Sequence, residues 1–342
     1  MEKPHSSSVG GARRGPPGRG EGNGTYEALD LGTNNCRLLV ARGTPRSRSS
    51  SFTVIDAFSR IVRLGEGLAA SGSLCDAAMD RTIAALKIYA AKVASHRVSG
   101  ARYIATEACR RAANCADFMA RVREETQLDL EIISSEEEAR LVVAGCAPLL
   151  DRATPHALVF DIGGGSTELV WLRLGEDGEP QIIDSLSLPH GVVTLSDRYG
   201  GCEVSEATYN AMVEEIHAAL KPVEARHGIA RHITDGAVQM LGSSGTVTTL
   251  AGINLALPRY NRRVVDGTLL SFACARTVSE RLLGLDYAAR AAEPCIGSER
   301  ADLVLAGCAI LEAICLVWPV GRLRVADRGI REGILLGLVG TG

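Results

Sequence analysis

The chain has 342 residues, enough for two domains, with 46 % hydrophobic and only 4 % aromatic residues and a formal net charge of −3. That balance excludes a general nucleic-acid or membrane-surface binder, so the positive field that an anionic ligand needs must be local. No apolar run reaches membrane-spanning length, no continuous apolar segment precedes Tyr26, and the ten cysteines include no C-x-x-C pair. The expectation is a cytoplasmic protein with reduced, buried cysteines and neither zinc nor a secretory signal.

In chain order, residues 1–24 are Gly, Pro, Ser and Arg and read as a disordered tail. Three strands follow over 26–31, 36–42 and 52–63, the last two joined by a hydrophilic hairpin loop at 44–49. A helix over 76–96 carries Ile83, Leu86 and Val93 at helical spacing. Next come a strand at 103–105, a helix at 117–125, a strand at 130–133 and a helix at 136–147. The second half reads as strands at 158–161, 168–172 and 181–186, a long helix at 205–226, a strand at 238–241 and a helix at 246–254. An apolar helix at 302–317, a strand at 323–326 and a closing helix at 331–338 complete it. Both halves thus read βββαβαβα, which predicts an α/β fold with a mixed sheet in each half and a ligand in the cleft between them. The predicted division is a tail over 1–24, a first domain over 25–142 and a second over 143–330. The closing segment 331–342 packs back on the first.

One motif occurs twice. Asp30-Leu31-Gly32-Thr33-Asn34-Asn35 precedes Leu38-Leu39-Val40, and Asp161-Ile162-Gly163-Gly164-Gly165-Ser166-Thr167-Glu168 precedes Leu169-Val170-Trp171. Each is a strand ending in Asp, a turn of small residues and a second strand. Such turns let backbone approach phosphate oxygens and offer N–H donors, and a strand-end Asp suits hydrated Mg²⁺. Three consecutive glycines exceed what a plain hairpin needs. Glu168, seven positions after Asp161, brings a second carboxylate to the same turn. Ser166 and Thr167 offer hydroxyl and amide donors.

Gly242-Ser243-Ser244-Gly245-Thr246 follows an apolar stretch and opens a helix, an arrangement that suits an anion or simple N-capping. In Ser134-Ser135-Glu136-Glu137-Glu138, the spacing of Ser135 and Glu138 is that of a capping box, and Glu138 is equally a candidate general base at the cleft. Arg110, just past a strand, reads either as a bidentate phosphate grip or as one of a surface pair with Arg111. Asp327 and Arg331 read as a pair that locks the closing helix.

With these motifs the chain resembles the exopolyphosphatase / guanosine pentaphosphate phosphohydrolase family. The resemblance is carried by 28–34, 62–68, 132–141, 160–170, 241–246 and 325–333. It implies two duplicated actin-like (ribonuclease H-like) domains with an interdomain cleft. It also implies a catalytic base at Glu138, metal-associated acids at Asp161 and Glu168, a phosphate-gripping arginine at Arg110 and a phosphate-loop serine at Ser166. Thr33 and Asn35 stand where the family's first loop commonly has serines, and Ser135 where it usually has glycine. Longer relatives carry a C-terminal helical domain, so the chain resembles the short, two-domain type, for which no long polyphosphate channel within one subunit is expected.

The implied reaction is Mg²⁺-assisted hydrolysis of the terminal phosphate of inorganic polyphosphate. It would be bound by Asp30, Gly32, Thr33, Asn34, the three glycines, Ser166, Thr167 and the stretch 242–245. Guanosine pentaphosphate is the alternative substrate, and a kinase of the same superfamily is a more distant alternative. A homodimer is implied by the resemblance, and neither a nucleic-acid nor a membrane partner is expected.

Overall fold

The computed structural model describes residues 24–44, 51–94 and 96–340. The predicted tail and hairpin loop therefore lie, but for their last and first residues, outside the described residues. Among these residues, eleven strands form two sheets. The first holds β1 (Thr25–Leu31), β2 (Asn35–Thr44), β3 (Ser51–Ile61), β4 (Val98–Ala105) and β5 (Glu131–Ile132), in the order β3-β2-β1-β4-β5. The second holds β6 (His156–Ile162), β7 (Thr167–Leu174), β8 (Pro180–Leu188), β9 (Val238–Ser243), β10 (Leu269–Ser271) and β11 (Arg322–Ala326), in the order β10-β11-β9-β6-β7-β8. In each, the leading strand pairs antiparallel with the next and parallel with a later one: β1 with β2 and β4, β6 with β7 and β9. The duplication is thus real at the level of strand pairing, with β10 added to the second sheet.

Central strands carry apolar side chains on both faces, as strands covered on both sides must. On one face of the first sheet, Leu29 and Leu31 pack with Leu86 and Phe118 from the helices Asp76–Val93 and Cys115–Thr126. On the other, Ala28 and Leu39 share a core with Ala157, Val159 and Val170 of the second sheet. Two helices lie between the sheets in that shared core, Ser135–Cys146 through Val142 and Ile330–Gly340 through Ile334. The outer face of the second sheet is covered by Glu206–His227 and the almost wholly apolar Val304–Val317. The layers run helix, sheet, helices, sheet, helix.

The middle helices approach closely because glycine faces backbone. A β-carbon on Gly145 would come within 2.0 Å of the Gly329 carbonyl oxygen, and one on Gly333 within 2.1 Å of that of Leu141. Glu332 caps the closing helix by accepting from the Gly329 N–H (2.9 Å), and its other oxygen accepts from Arg262 (2.7 Å). This corrects the expected Asp327–Arg331 lock: Asp327 accepts from Tyr260 instead, and Arg331 lines the cleft.

Two further expectations change. The helices Val192–Tyr199, Phe272–Leu283 and Tyr287–Ala292, and strand β10, were not predicted. All ten cysteines are free, but Cys75, Cys202 and Cys274 are exposed rather than buried.

Candidate active site

The two glycine turns have the same local geometry. Each leading strand ends one residue past its Asp, and the turn closes with the same bond, Gly32 N–H to the Asn35 carbonyl and Gly163 N–H to the Ser166 carbonyl, both 2.9 Å. The turns face each other in van der Waals contact. A β-carbon on Gly164 would sit 3.0 Å from the Asn34 nitrogen, and one on Gly165 would sit 2.5 Å from Thr33 Oγ1. Close approach, more than backbone freedom, is what requires glycine at these two positions.

Register sets the chemistry of each hairpin. In β6–β7, Asp161 lies directly opposite Glu168, so both carboxylates belong to one face. In β1–β2, Asp30 lies directly opposite Arg37. The duplicated hairpins therefore present an acid–acid pair on one side of the cleft and an acid–base pair on the other.

A cavity of about 130 Å³ opens between the turns, lined among others by Asp30, Arg37, Glu107, Glu138, Asp161, Glu168, Arg300 and the three glycines. A second compartment of about 200 Å³ adjoins it. The two share Asp30, Arg37, Asp161, Ser244, Gly245, Arg300 and Ile330, and the second adds Tyr260, Arg328 and Arg331 among others.

Glu138 enters from the middle layer, in the first turn of the helix Ser135–Cys146, and is buried. The helix is capped one residue earlier than expected. Ser134, not Ser135, accepts from the Glu137 N–H (3.2 Å), so Glu138 is not part of the cap and is free to serve the cavity. Arg110 holds it in place. Its Nη1 donates to Glu138 Oε2 (2.7 Å) and to the Ile133 carbonyl (3.0 Å), and its Nη2 donates to Glu107 (2.9 Å).

Burial and neighbouring acids raise four of the acids that line the cavity. Burial, then Glu168, pushes Glu138 up to about 8 against the opposing pull of Arg110. Burial and Glu138 raise Asp161 to about 7, and burial raises Glu168 to about 7 although Ser166 and Ser187 donate to its Oε1 (2.6 and 2.9 Å). Asp30 is raised by burial as well. Four acids that disfavour one another's charge around one small cavity make a place where a cation is welcome. Among the described residues no three His, Cys, Asp or Glu side chains converge tightly enough to hold a metal alone. Mg²⁺ keeps several waters and commonly takes one or two carboxylates plus substrate phosphates. Asp161 and Glu168 fit that role.

Most of the expected residues meet here: Asp30, Gly32, Thr33, Asn34, Glu138, Asp161, Gly163, Gly164, Gly165, Ser166, Glu168, Ser244 and Gly245 all line the first compartment. Others do not. Arg110 stands behind Glu138 and does not line the cavity, because three protein acceptors take up its donors. The Thr167 hydroxyl donates to the His190 carbonyl (2.7 Å) and the Ser166 hydroxyl to Glu168, so neither is free for phosphate. Gly242 lies inside β9, where a β-carbon would strike the Phe160 ring at 2.6 Å. Ser243 lines only the second compartment, and its hydroxyl donates to the Arg328 carbonyl (2.9 Å). The cationic residues of the cavity are instead Arg37 and Arg300. Arg37 was legible: it stands seven positions after Asp30, as Glu168 does after Asp161.

The family model described as the Ppx/GppA phosphatase family matches residues 40–341. The chain belongs to that family. It is 30 % identical over 321 residues to a guanosine-5'-triphosphate,3'-diphosphate pyrophosphatase of Aeromonas salmonicida, covering 92 % of this chain and 60 % of that protein. It is likewise 30 % identical over 324 residues to exopolyphosphatase 2 of Mycobacterium tuberculosis, covering 92 % of this chain and 98 % of that one. The chain thus spans about three fifths of the length of its Aeromonas relative and nearly all of its mycobacterial one. Among solved Ppx/GppA structures, an exopolyphosphatase-like protein superposes with a TM-score of 0.82 at 26 % identity, over 92 % of this chain and 97 % of that chain. The Aquifex aeolicus Ppx/GppA protein superposes with a TM-score of 0.72 at 26 % identity, over 93 % and 98 %. No helix among the described residues is long and apolar enough to cross a membrane.

Proposed function

We propose that the chain is an exopolyphosphatase, hydrolysing the terminal phosphate of inorganic polyphosphate and releasing orthophosphate. The observation that carries this reading is Glu138. It is a buried carboxyl raised to about 8, held by Arg110 at the edge of a cavity walled by two glycine turns. A general base is most effective when its pKa lies near the working pH. In the proposed step a water oxygen attacks the terminal phosphorus while Glu138 accepts a water proton. The bond to the bridging oxygen breaks, and that oxygen stays on the shortened chain. Arg37, Arg300 and the turn N–H groups bind the phosphoryl oxygens, so positioning and charge complementarity supply most of the rate. Asp161 and Glu168 would hold Mg²⁺, which neutralises charge on the phosphoryl oxygens when bound.

Guanosine pentaphosphate is a second reading, favoured by the adjoining compartment. Arg331 and the Tyr260 ring there suit a further phosphate or a stacked base as well as more of a polyphosphate chain. Phosphate release from long polyphosphate, short polyphosphate and guanosine pentaphosphate, measured side by side, separates the two. Release from none of them, at any Mg²⁺ concentration, removes both. The homodimer and the cytoplasmic setting belong to the same proposal and are checked by sedimentation equilibrium and cell fractionation.

A further inference from the structure

The loop after β3 joins the two walls of the cleft. The Val62 and Arg63 N–H groups both donate to the Asn34 carbonyl (2.9 and 3.0 Å), and the Gly65 N–H donates to that of Thr33 (2.9 Å). The loop is therefore stapled to the first glycine turn. Arg63 sits in the left-handed region at φ 47, a strained setting for a residue with a side chain that persists only where surrounding contacts enforce it. From there its guanidinium crosses to the second half. Nη1 donates to Asp302 Oδ2 (2.8 Å), and Nη2 donates to Asp302 Oδ1 (3.1 Å) and to the Glu299 carbonyl (3.2 Å). Asp302 is itself fixed to that half. Its carbonyl accepts from Ser196 Oγ (3.0 Å) and lies so close to Gly201 that a β-carbon there would approach it to 2.1 Å. Arg300, which faces both compartments, belongs to the turn that contains Asp302. The Leu303 and Val304 N–H groups both return to the Arg300 carbonyl (3.0 Å each).

We propose that Arg63 and Asp302 form a clasp across the rim of the cleft, with Arg63 a positioning residue. By tying the Thr33–Asn34 turn to the turn that carries Arg300, the clasp brings the first glycine turn and Arg300 onto the same phosphoryl group when the halves close. The pair is bidentate but partly open to water, with side-chain exposures of 34 % and 19 %. Such a contact is strong enough to bias closure and weak enough to release product. What closure serves rests on the proposed phosphohydrolase reading, but the clasp itself is a statement about conformation and is tested without substrate.

The test compares the full chain with Arg63→Ala, Asp302→Asn and the double variant. In small-angle X-ray scattering of the ligand-free proteins, both single variants are expected to show the same increase in radius of gyration, and the double variant no more than either. With polyphosphate, KM is expected to rise about fivefold in each, the size an exposed pair commands, with kcat changed less and the two substitutions non-additive. Circular dichroism confirms folding, and Asp302→Asn, nearly isosteric, guards against a merely misfolded Arg63→Ala. Scattering curves that superpose on the parent for both single variants overturn the clasp, whatever the activity. Additive effects of the two substitutions overturn it as a pair. Failure of the parent protein to hydrolyse polyphosphate overturns only the proposed function, since the scattering comparison still decides the clasp.

Discussion

Glu138 is held between opposing forces. Burial and Glu168 favour its neutral form, and the Arg110 guanidinium 2.7 Å away favours the anion. Glu138→Gln preserves size but cannot accept a proton. It is expected to lower kcat by about a hundredfold or more, the low end for a general base, with KM near normal. Unimpaired kcat in a phosphate-release assay would reduce Glu138 to a helix residue. Arg37 makes a contrasting case. It faces the cavity opposite Asp30 and carries one of the cavity's positive charges. Arg37→Met keeps the apolar stem and removes the charged donors. KM for polyphosphate is expected to rise about tenfold or more, the scale of a hydrogen bond to a charged group, with a smaller fall in kcat. An unchanged KM would place the terminal phosphate elsewhere. The two substitutions thus separate chemistry from binding within one cavity.

The elements that carry these residues are held by close backbone contacts in the middle layer. Gly333 of the closing helix lies against Leu141 of the Glu138 helix, where a β-carbon would meet the carbonyl oxygen at 2.1 Å. Gly333→Ala must push the helices apart, at a cost of about 1–3 kcal/mol for overpacking. It should lower the melting temperature and also shift the acid limb of the pH–rate profile, because the helix that moves carries Glu138, the proposed base. A profile that keeps its limb while stability falls would show that the helix moves as a rigid unit. The sequence made the two hairpins legible because strand, turn and acid are contiguous and their spacing fixes the face. The helix Phe272–Leu283 was legible too, through Ala275, Val278, Ser279 and Leu282 at helical spacing, but went unread. Residues joined only by tertiary structure were not accessible. Nothing local shows that Arg110 binds Glu138, that Arg300 reaches Arg37's cavity, or that Thr167 turns its hydroxyl to His190. For the same reason the cap fell on Ser134: adjacent serines are alike in sequence, and only the entering strand decides which one precedes the first helical turn.

At the scale of the whole molecule, two sheets with helices between them bring two hairpins edge to edge, and the acids of both walls are driven into one cleft. That concentration has a consequence for stability. The carboxyl of Glu138 titrates near its ordinary 4.5 in the unfolded chain and near 8 in the folded one. Between those values the folded chain binds the extra proton, so stability declines as pH rises through about 8 and is greatest on the acid side. The groups that set this are Glu168 and Asp30, which raise the carboxyl with burial, and Arg110, which opposes them. Ligand-free protein in chelator is therefore expected to melt at progressively lower temperature from about pH 5.5 to about pH 8.5. This is opposite to the slope of a chain whose acids are stabilised by native partners. Glu138→Gln should flatten part of that slope without abolishing it, because Asp161 and Glu168 are also raised. A melting temperature that climbs steadily with pH in the parent protein would mean that Arg110 and the cleft arginines outweigh burial. Glu138, the proposed base, would then be an ordinary ionised carboxylate, and activity should persist well below neutral pH.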